Sequence, residues 1–189
     1  MKKTNNFRLG MLVVALVFAM SVIGCDEGDG EPVYDNKFTI NGEEHKLTYG
    51  KILYFGNYYP ESPAVNIDFV LYSEKPSEDE DAAEPEIIAY FELFVPPGNF
   101  TLVNGTYNFT EVLDNMYPAF SFPYVDVNLQ KFAKSGTVKV AVSGNVSNPI
   151  YTITVDCVLD CPCDEHSDGY IKGTYHGPLD WEVVDRSLW

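Results

Sequence analysis

Tyr151-Thr152-Ile153-Thr154-Val155-Asp156-Cys157-Val158-Leu159 sets Tyr151, Ile153, Val155, Cys157 and Leu159 on one side of an extended chain and Thr152, Thr154 and Asp156 on the other. Side chains alternate with a period of two along a strand, so this stretch reads as a β-strand with one packed and one wet face. Similar runs lie on either side, at 137–142 upstream and 170–175 downstream.

Further out the same grammar repeats. Lys37 to Ile40, then Asn41-Gly42, then Glu43 to Leu47 is a hairpin signal, because Asn-Gly favours a type I′ turn whose positive φ angles match strand twist. Strand-like runs follow at 49–55, 65–72, 87–95, 100–108 and 124–129, with a last one near 179–184. Short Gly, Pro, Asn and Asp turns separate them. No stretch in this part of the chain holds a helical period, although Phe109 to Met116 has room for one or two helical turns before Pro118. Nine or ten short strands with turn signals between them predict an all-β fold: a single antiparallel β-sandwich, jelly-roll-like, with an up-and-down β-barrel of lipocalin-like form as the alternative.

The chain begins differently. Lys2, Lys3 and Arg8 precede an apolar run from Leu9 to Ile23, too short to cross ~30 Å of hydrocarbon as a span of ~20 residues and built like a signal peptide. The run ends in Val22-Ile23-Gly24-Cys25, which resembles the lipobox of bacterial lipoprotein precursors. That resemblance implies cleavage before Cys25 and acylation of its thiol. Several acyl chains at ~0.8 kcal/mol per buried CH₂ hold a protein durably where one is marginal. The expected organisation is a lipoprotein signal peptide over 1–24, a lipidated acidic flexible tether over 25–36 and a β-sandwich domain over 37–189.

Asp26, Glu27, Asp29 and Glu31, interleaved with Gly28, Gly30 and Pro32, make that tether solvated and flexible. The stretch resembles the acidic export signal behind the lipidated cysteine of Bacteroidota surface lipoproteins. The resemblance implies an outer-membrane address with the domain on the cell surface, the periplasmic side being the alternative. The phrases Phe38-Thr39-Ile40-Asn41-Gly42, Gly136-Thr137-Val138-Lys139-Val140 and Ile171-Lys172-Gly173-Thr174-Tyr175-His176-Gly177 look like uncharacterised lipoproteins of the same phylum across most of the remaining chain. That likeness brings no activity with it.

Beyond residue 24 the chain has nine Lys and Arg against 28 Asp and Glu, a formal charge of −19. Nucleic acid and anionic head groups demand positive charge and are poor partners. The 165 residues that remain suit one domain with a genuine core.

Four groups of residues could carry chemistry. Cys157, Cys161, Cys163 and His166 gather thiolates and an imidazole, the ligand types that Zn²⁺ favours. Their spacing is not a pair of Cys-x-x-Cys knuckles, and the exported address favours a disulfide with one spare thiol, Cys157 closing on Cys161 or Cys163. The acidic run from Glu74 to Glu86 offers carboxylates to Ca²⁺ but lacks the fixed offsets and the turn glycine of a calcium loop, so a solvated loop is preferred. No cofactor is expected.

Aromatics outside the clean alternation, Tyr58, Tyr59, Tyr117 and Trp181, could stack on sugar faces or plug the ends of the fold. No Gly-x-Ser-x-Gly, His-Glu-x-x-His or Walker motif is present, and His45, His166 and His176 are not paired in sequence with an obvious nucleophile. The expected role is binding, not catalysis: capture of a glycan or peptide. The rival is a structural adhesin or assembly subunit that meets proteins through a sheet edge.

Overall fold

The computed structural model describes residues 34–57, 59, 62–79, 81–111, 116–128, 131–160 and 169–184. The chain divides into two compact units, Met1–Pro32 and Val33–Trp189, of which the first lies outside the described residues. Within the second, the described residues contain eleven strands and no helix. They are β1 (Lys37–Ile40), β2 (Glu43–Lys46), β3 (Tyr49–Gly56), β4 (Val65–Tyr72), β5 (Ile88–Val95), β6 (Gly105–Phe109), β7 (Ser121–Val127), β8 (Lys131–Asn145), β9 (Asn148–Asp160), β10 (Gly169–Gly177) and β11 (Asp180–Val183).

All eleven belong to one sheet, in the order β11-β3-β4-β5-β7-β6-β8-β9-β10-β1-β2, with β7 also touching β8. This corrects the expected antiparallel arrangement of nine or ten strands. The sheet is mixed, because β11 runs parallel to β3 and β6 parallel to β7. Hydrogen bonding continues through a single curled sheet that forms a half-barrel. Phe109, expected to open a helical turn, is the last residue of β6, and Glu111 and Met116 are not helical; residues 112–115 lie outside the described residues.

Chain connections explain the curl. Laid flat, nine strand spacings of ~4.8 Å would separate β2 from β3 by ~43 Å, yet only Leu47 and Thr48 join them, a reach of ~11 Å. Pro178 and Leu179 alone join β10 to β11, across eight spacings. These short links therefore bring strand termini from opposite sides of the order close together and require the sheet to curl. At the seam, consecutive residues bond to opposite ends of the sheet: Leu47 N–H donates to Asn36 O and Thr48 N–H to Tyr72 O, both at 2.9 Å.

The opening hairpin forms as its sequence asks, with Asn41 at φ 52° and Gly42 at φ 93°. Inward residues of the long strands make one core: Ile67, Phe69 and Leu71 of β4, Ala89, Phe91 and Leu93 of β5, Val138 and Val140 of β8, and Tyr151, Ile153, Val155, Cys157 and Leu159 of β9. Phe69 and Phe91 are direct cross-strand partners whose rings stack at 4.3 Å, the kind of pair that adds ~0.5–1.5 kcal/mol beyond burial. Leu47 and Leu179 seal the seam from inside, both being buried. Tyr34 and Asn36, which the sequence assigns to the tether, pack on β10: the Tyr34 ring stacks on His176 at 4.1 Å, and Asn36 Oδ1 accepts from His176 N–H at 2.7 Å.

Candidate functional site

Parallel pairing of β11 with β3 sets Trp181 opposite Ile52, on the core-facing side, and turns Asp180 and Glu182 to the outer side beside Lys51 and Leu53. The outer pair is held by polar contacts: Tyr49 Oη donates to Asp180 Oδ2 at 2.6 Å and Lys51 Nζ to Glu182 Oε2 at 3.4 Å. Burial first, then the bond to Asp180, pushes the Tyr49 hydroxyl pKa up, so this phenol stays protonated as a donor.

On the core-facing side three rings gather. Tyr54 packs against the core, Phe100 lies 5.7 Å from it and Trp181 6.5 Å, while Trp181 Nε1–H donates to Phe100 O at 3.2 Å. Phe100 and Trp181 remain 66% and 54% exposed. Two large rings so open to solvent, resting on a third, form a platform that carries the apolar interior out to water. Across the β11 edge, on the outer side, is a cleft of about 320 Å³ lined by Tyr49, Lys51, Lys75, Asp180, Trp181 and Glu182 among others, with Lys75 Nζ 5.8 Å above the Tyr49 ring. The platform offers ring faces on the core-facing side of β11, and the cleft offers hydroxyl and ammonium donors and carboxylate acceptors on the outer side, with Trp181 at the edge between them.

A second polar group occupies the outer face of β4, β5 and β7. Register aligns Asp68, Glu92 and Tyr124 in one row and Val70, Tyr90 and Asp126 in the next. Asp68 and Asp126 are buried, which is unusual on the face away from the core. Asn66 Nδ2 donates to Asp68 Oδ1 at 2.9 Å and to Glu92 Oε1 at 3.4 Å; Tyr90 Oη donates to Asp68 Oδ2, and Tyr59 Oη to Glu92 Oε1 at 3.5 Å. Burial raises the Asp68 pKa well above the usual carboxylate range and pushes Glu92 up to about 7. A cleft of about 360 Å³ between Glu84, Glu86, Ile88 and Asn128 reaches Tyr90 and Asp126.

The residues expected from sequence fall in several places. Cys25, Tyr58, Cys161, Cys163 and His166 lie outside the described residues. Cys157 faces inward as its alternation requires, 1% exposed, its Sγ 3.8 Å from Thr137 O, and burial pushes its thiol up to about 12, the environment of an inert thiol. Tyr59 and Tyr117 are partly buried and belong to a stack in which Tyr117 lies 4.1 Å from Phe94 and 4.6 Å from Tyr59; they cap the outer face over Glu92 and do not join Trp181. Of the four aromatics chosen, Trp181 alone among the described residues is an open ring.

In the acidic run, Glu74, Glu78, Asp79, Asp81, Glu84 and Glu86 are exposed, and Asp79 Oδ1 accepts from the Asp81 N–H at 3.1 Å within a turn. Among the described residues no three His, Cys, Asp or Glu side chains are arranged to hold a metal ion. Tyr54, Phe100 and the Asp68–Glu92 pair carry no motif. Their only signal is position: Asn66 and Asp68 alternate with Ile67 and Phe69, and Phe100 opens the run 100–108, whose strand begins only at Gly105.

No helix among the described residues is long and apolar enough to cross a membrane, which says nothing of strands. No family model matches this chain, no curated protein matches it, and no solved structure matches it.

Proposed function

We propose that this chain is a lipid-anchored, surface-displayed binding module that captures a soluble glycan on the platform of Tyr54, Phe100 and Trp181. The observation that carries the reading is the exposure of Phe100 and Trp181, 66% and 54%, beside a cleft of mixed polarity. Sugar rings have apolar C–H faces that lie on aromatic rings and hydroxyls that both donate and accept. Trp181 also lines the cleft on the outer side of β11, so a glycan that wraps this edge from the platform meets Tyr49, Lys51, Lys75, Asp180 and Glu182 with its hydroxyls. The cleft's 320 Å³ lies at the small end of ligand sites, ~300–1,000 Å³, which suits a short stretch of glycan.

The anchor reading rests on Lys2, Lys3 and Arg8, the apolar run and Cys25, and the surface reading on the acids that follow. Of the two architectures, the barrel with an open mouth is the better account, because two-residue connections draw the ends of the sheet together at β2–β3 and β10–β11. The structural rival, partner addition at a sheet edge, finds less support: β2 carries Glu43, Glu44, His45 and Lys46, and charged short edge strands resist pairing.

A glycan array probed with the soluble domain and its variants tests the assignment. Trp181→Ala and Phe100→Ala are expected to weaken binding at least ~10-fold, the loss of about 1.4 kcal/mol. Tyr117→Ala, on the opposite face, is expected to leave it within ~2-fold. Retention of binding in both platform variants contradicts the assignment.

A further inference from the structure

Strands β8 and β9 outrun their neighbours. The last rung between β8 and β6 joins Val140 to Gly105, and the last between β9 and β10 joins Tyr151 to Gly177. Beyond those rungs, among the described residues, 141–145 pair only with β9 and 148–150 only with β8, so a two-stranded ribbon projects ~10 Å past the sheet. Its base is tied down: Val142 N–H donates to Asn104 Oδ1 at 2.5 Å, and Thr101 Oγ1 lies 2.8 Å from Tyr151 Oη.

The tip is fixed as well. Asn145 Oδ1 accepts from the N–H groups of Ser147 and Asn148 at 3.0 and 2.9 Å, and Gly144 takes a φ of 79° against Asn148 O, where a Cβ has no room. This turn holds Val146 fully out in solvent, with Pro149 and Ile150 half-buried behind it. From Val140 to Val155 the chain has no Asp, Glu, Lys or Arg, and neither has 93–110, the run that supplies Thr101 and Asn104 to the base. In a chain whose charge is −19 beyond residue 24, such a projection meets a lipid surface without the repulsion and dehydration that carboxylates suffer there.

The chain enters the domain beside this ribbon. Tyr34 stacks on His176, and His176 is the cross-strand partner of Thr152, one residue from the ribbon's base. The opposite end of β10, Tyr170, carries the Asn41-Gly42 turn, ~20 Å away. Cys25 lies nine residues before Tyr34, a reach of at most ~30 Å.

We propose that the β8–β9 ribbon is a membrane foot: Val146, backed by Pro149 and Ile150, enters the head-group boundary of the bilayer to which the lipid on Cys25 ties the chain. The contact rests on the anchor reading given above. Tethering makes it intramolecular, so a small apolar tip serves without an affinity of its own. A second copy is the poorer occupant, because so small a tip covers far less than the ~800 Å² per partner of a stable interface.

The full lipidated chain, ¹⁵N-labelled and placed in phosphatidylcholine bicelles that carry a head-group spin label, tests it. The Val146 and Ser147 amides are expected to lose their signals, while Asn41 and Gly42 keep theirs. Val146→Asp is expected to restore the Ser147 signal with the chain still bound to the bicelle. Equal loss at the Asn41-Gly42 turn, a Ser147 signal still lost in Val146→Asp, or Val146 shifts that grow with concentration in the lipid-free domain overturns the foot. A bound chain that keeps its Val146 signal overturns the foot alone, whereas a chain that does not bind the bicelle overturns the anchor and the foot together.

Discussion

Glu92 shows how far a single residue can depart from its usual chemistry when a sheet face is covered. Its folded pKa, about 7, stands above the value of 4.5 it has when free. Between those values the folded state holds the extra proton, so the contribution of this group is full below pH ~4.5 and is lost as pH rises through 7. The difference amounts to roughly 3 kcal/mol. Urea unfolding at pH 4.5 and at pH 8 is expected to show the unaltered domain losing about that much relative to Glu92→Gln, the comparison removing the general repulsion of an acidic chain. Equal pH slopes in the two proteins contradict it. At this scale sequence was a partial guide. Alternation through 151–159 put Cys157 inside, and it is inside. The same alternation through Asn66, Ile67, Asp68 and Phe69 marks Asp68 as outward and says nothing of its burial, because Tyr90 and Glu92, which meet it, come from another strand through pairing.

Among elements, local signals served best where the determinant is local. Asn41-Gly42 needs only its own φ angles, and β4 occupies the residues 65–72 that alternation marked. Lengths and partners were harder. β8 spans Lys131–Asn145, where only 137–142 stood out, because pairing with the long β9 extends a strand past its own strongest residues. The parallel pairs β11–β3 and β6–β7 could not be read at all, since a period of two carries no strand direction. Phe120 has a φ of 60°, rare for an aromatic residue, and its N–H and C=O bridge Phe94 O and Asn108 N, so hydrogen bonds to both sides hold the strained turn. The seam between β2 and β3 is the element on which the curl depends. Leu47→Ala removes a fully buried side chain there, and a loss of ~2–5 kcal/mol is expected in thermal or urea unfolding. A loss under ~1 kcal/mol contradicts the seam's part in holding the sheet ends together.

At the largest scale, one continuous sheet pairs the early strand β3 with the last, β11, so residues from distant parts of the sequence share a surface. Tyr54, Phe100 and Trp181 meet in this way. Trp181 was recognisable as a candidate because an aromatic near a terminal strand stands outside the alternating core pattern, whereas Phe100 and Tyr54 read as ordinary strand residues. Strong negative charge, −19 beyond residue 24, repels polyanions and is compatible with the neutral glycan proposed as ligand. The most direct test of glycan capture is to add the strongest array ligand to ¹⁵N-labelled domain and follow the Trp181 indole N–H. The account predicts a saturable shift of that signal, with Phe100 and Lys75 amides shifting at the same concentration. An unmoved Trp181 signal, with shifts confined to Tyr59, Tyr117 or the acid-lined cleft at Glu84 and Glu86, would contradict it.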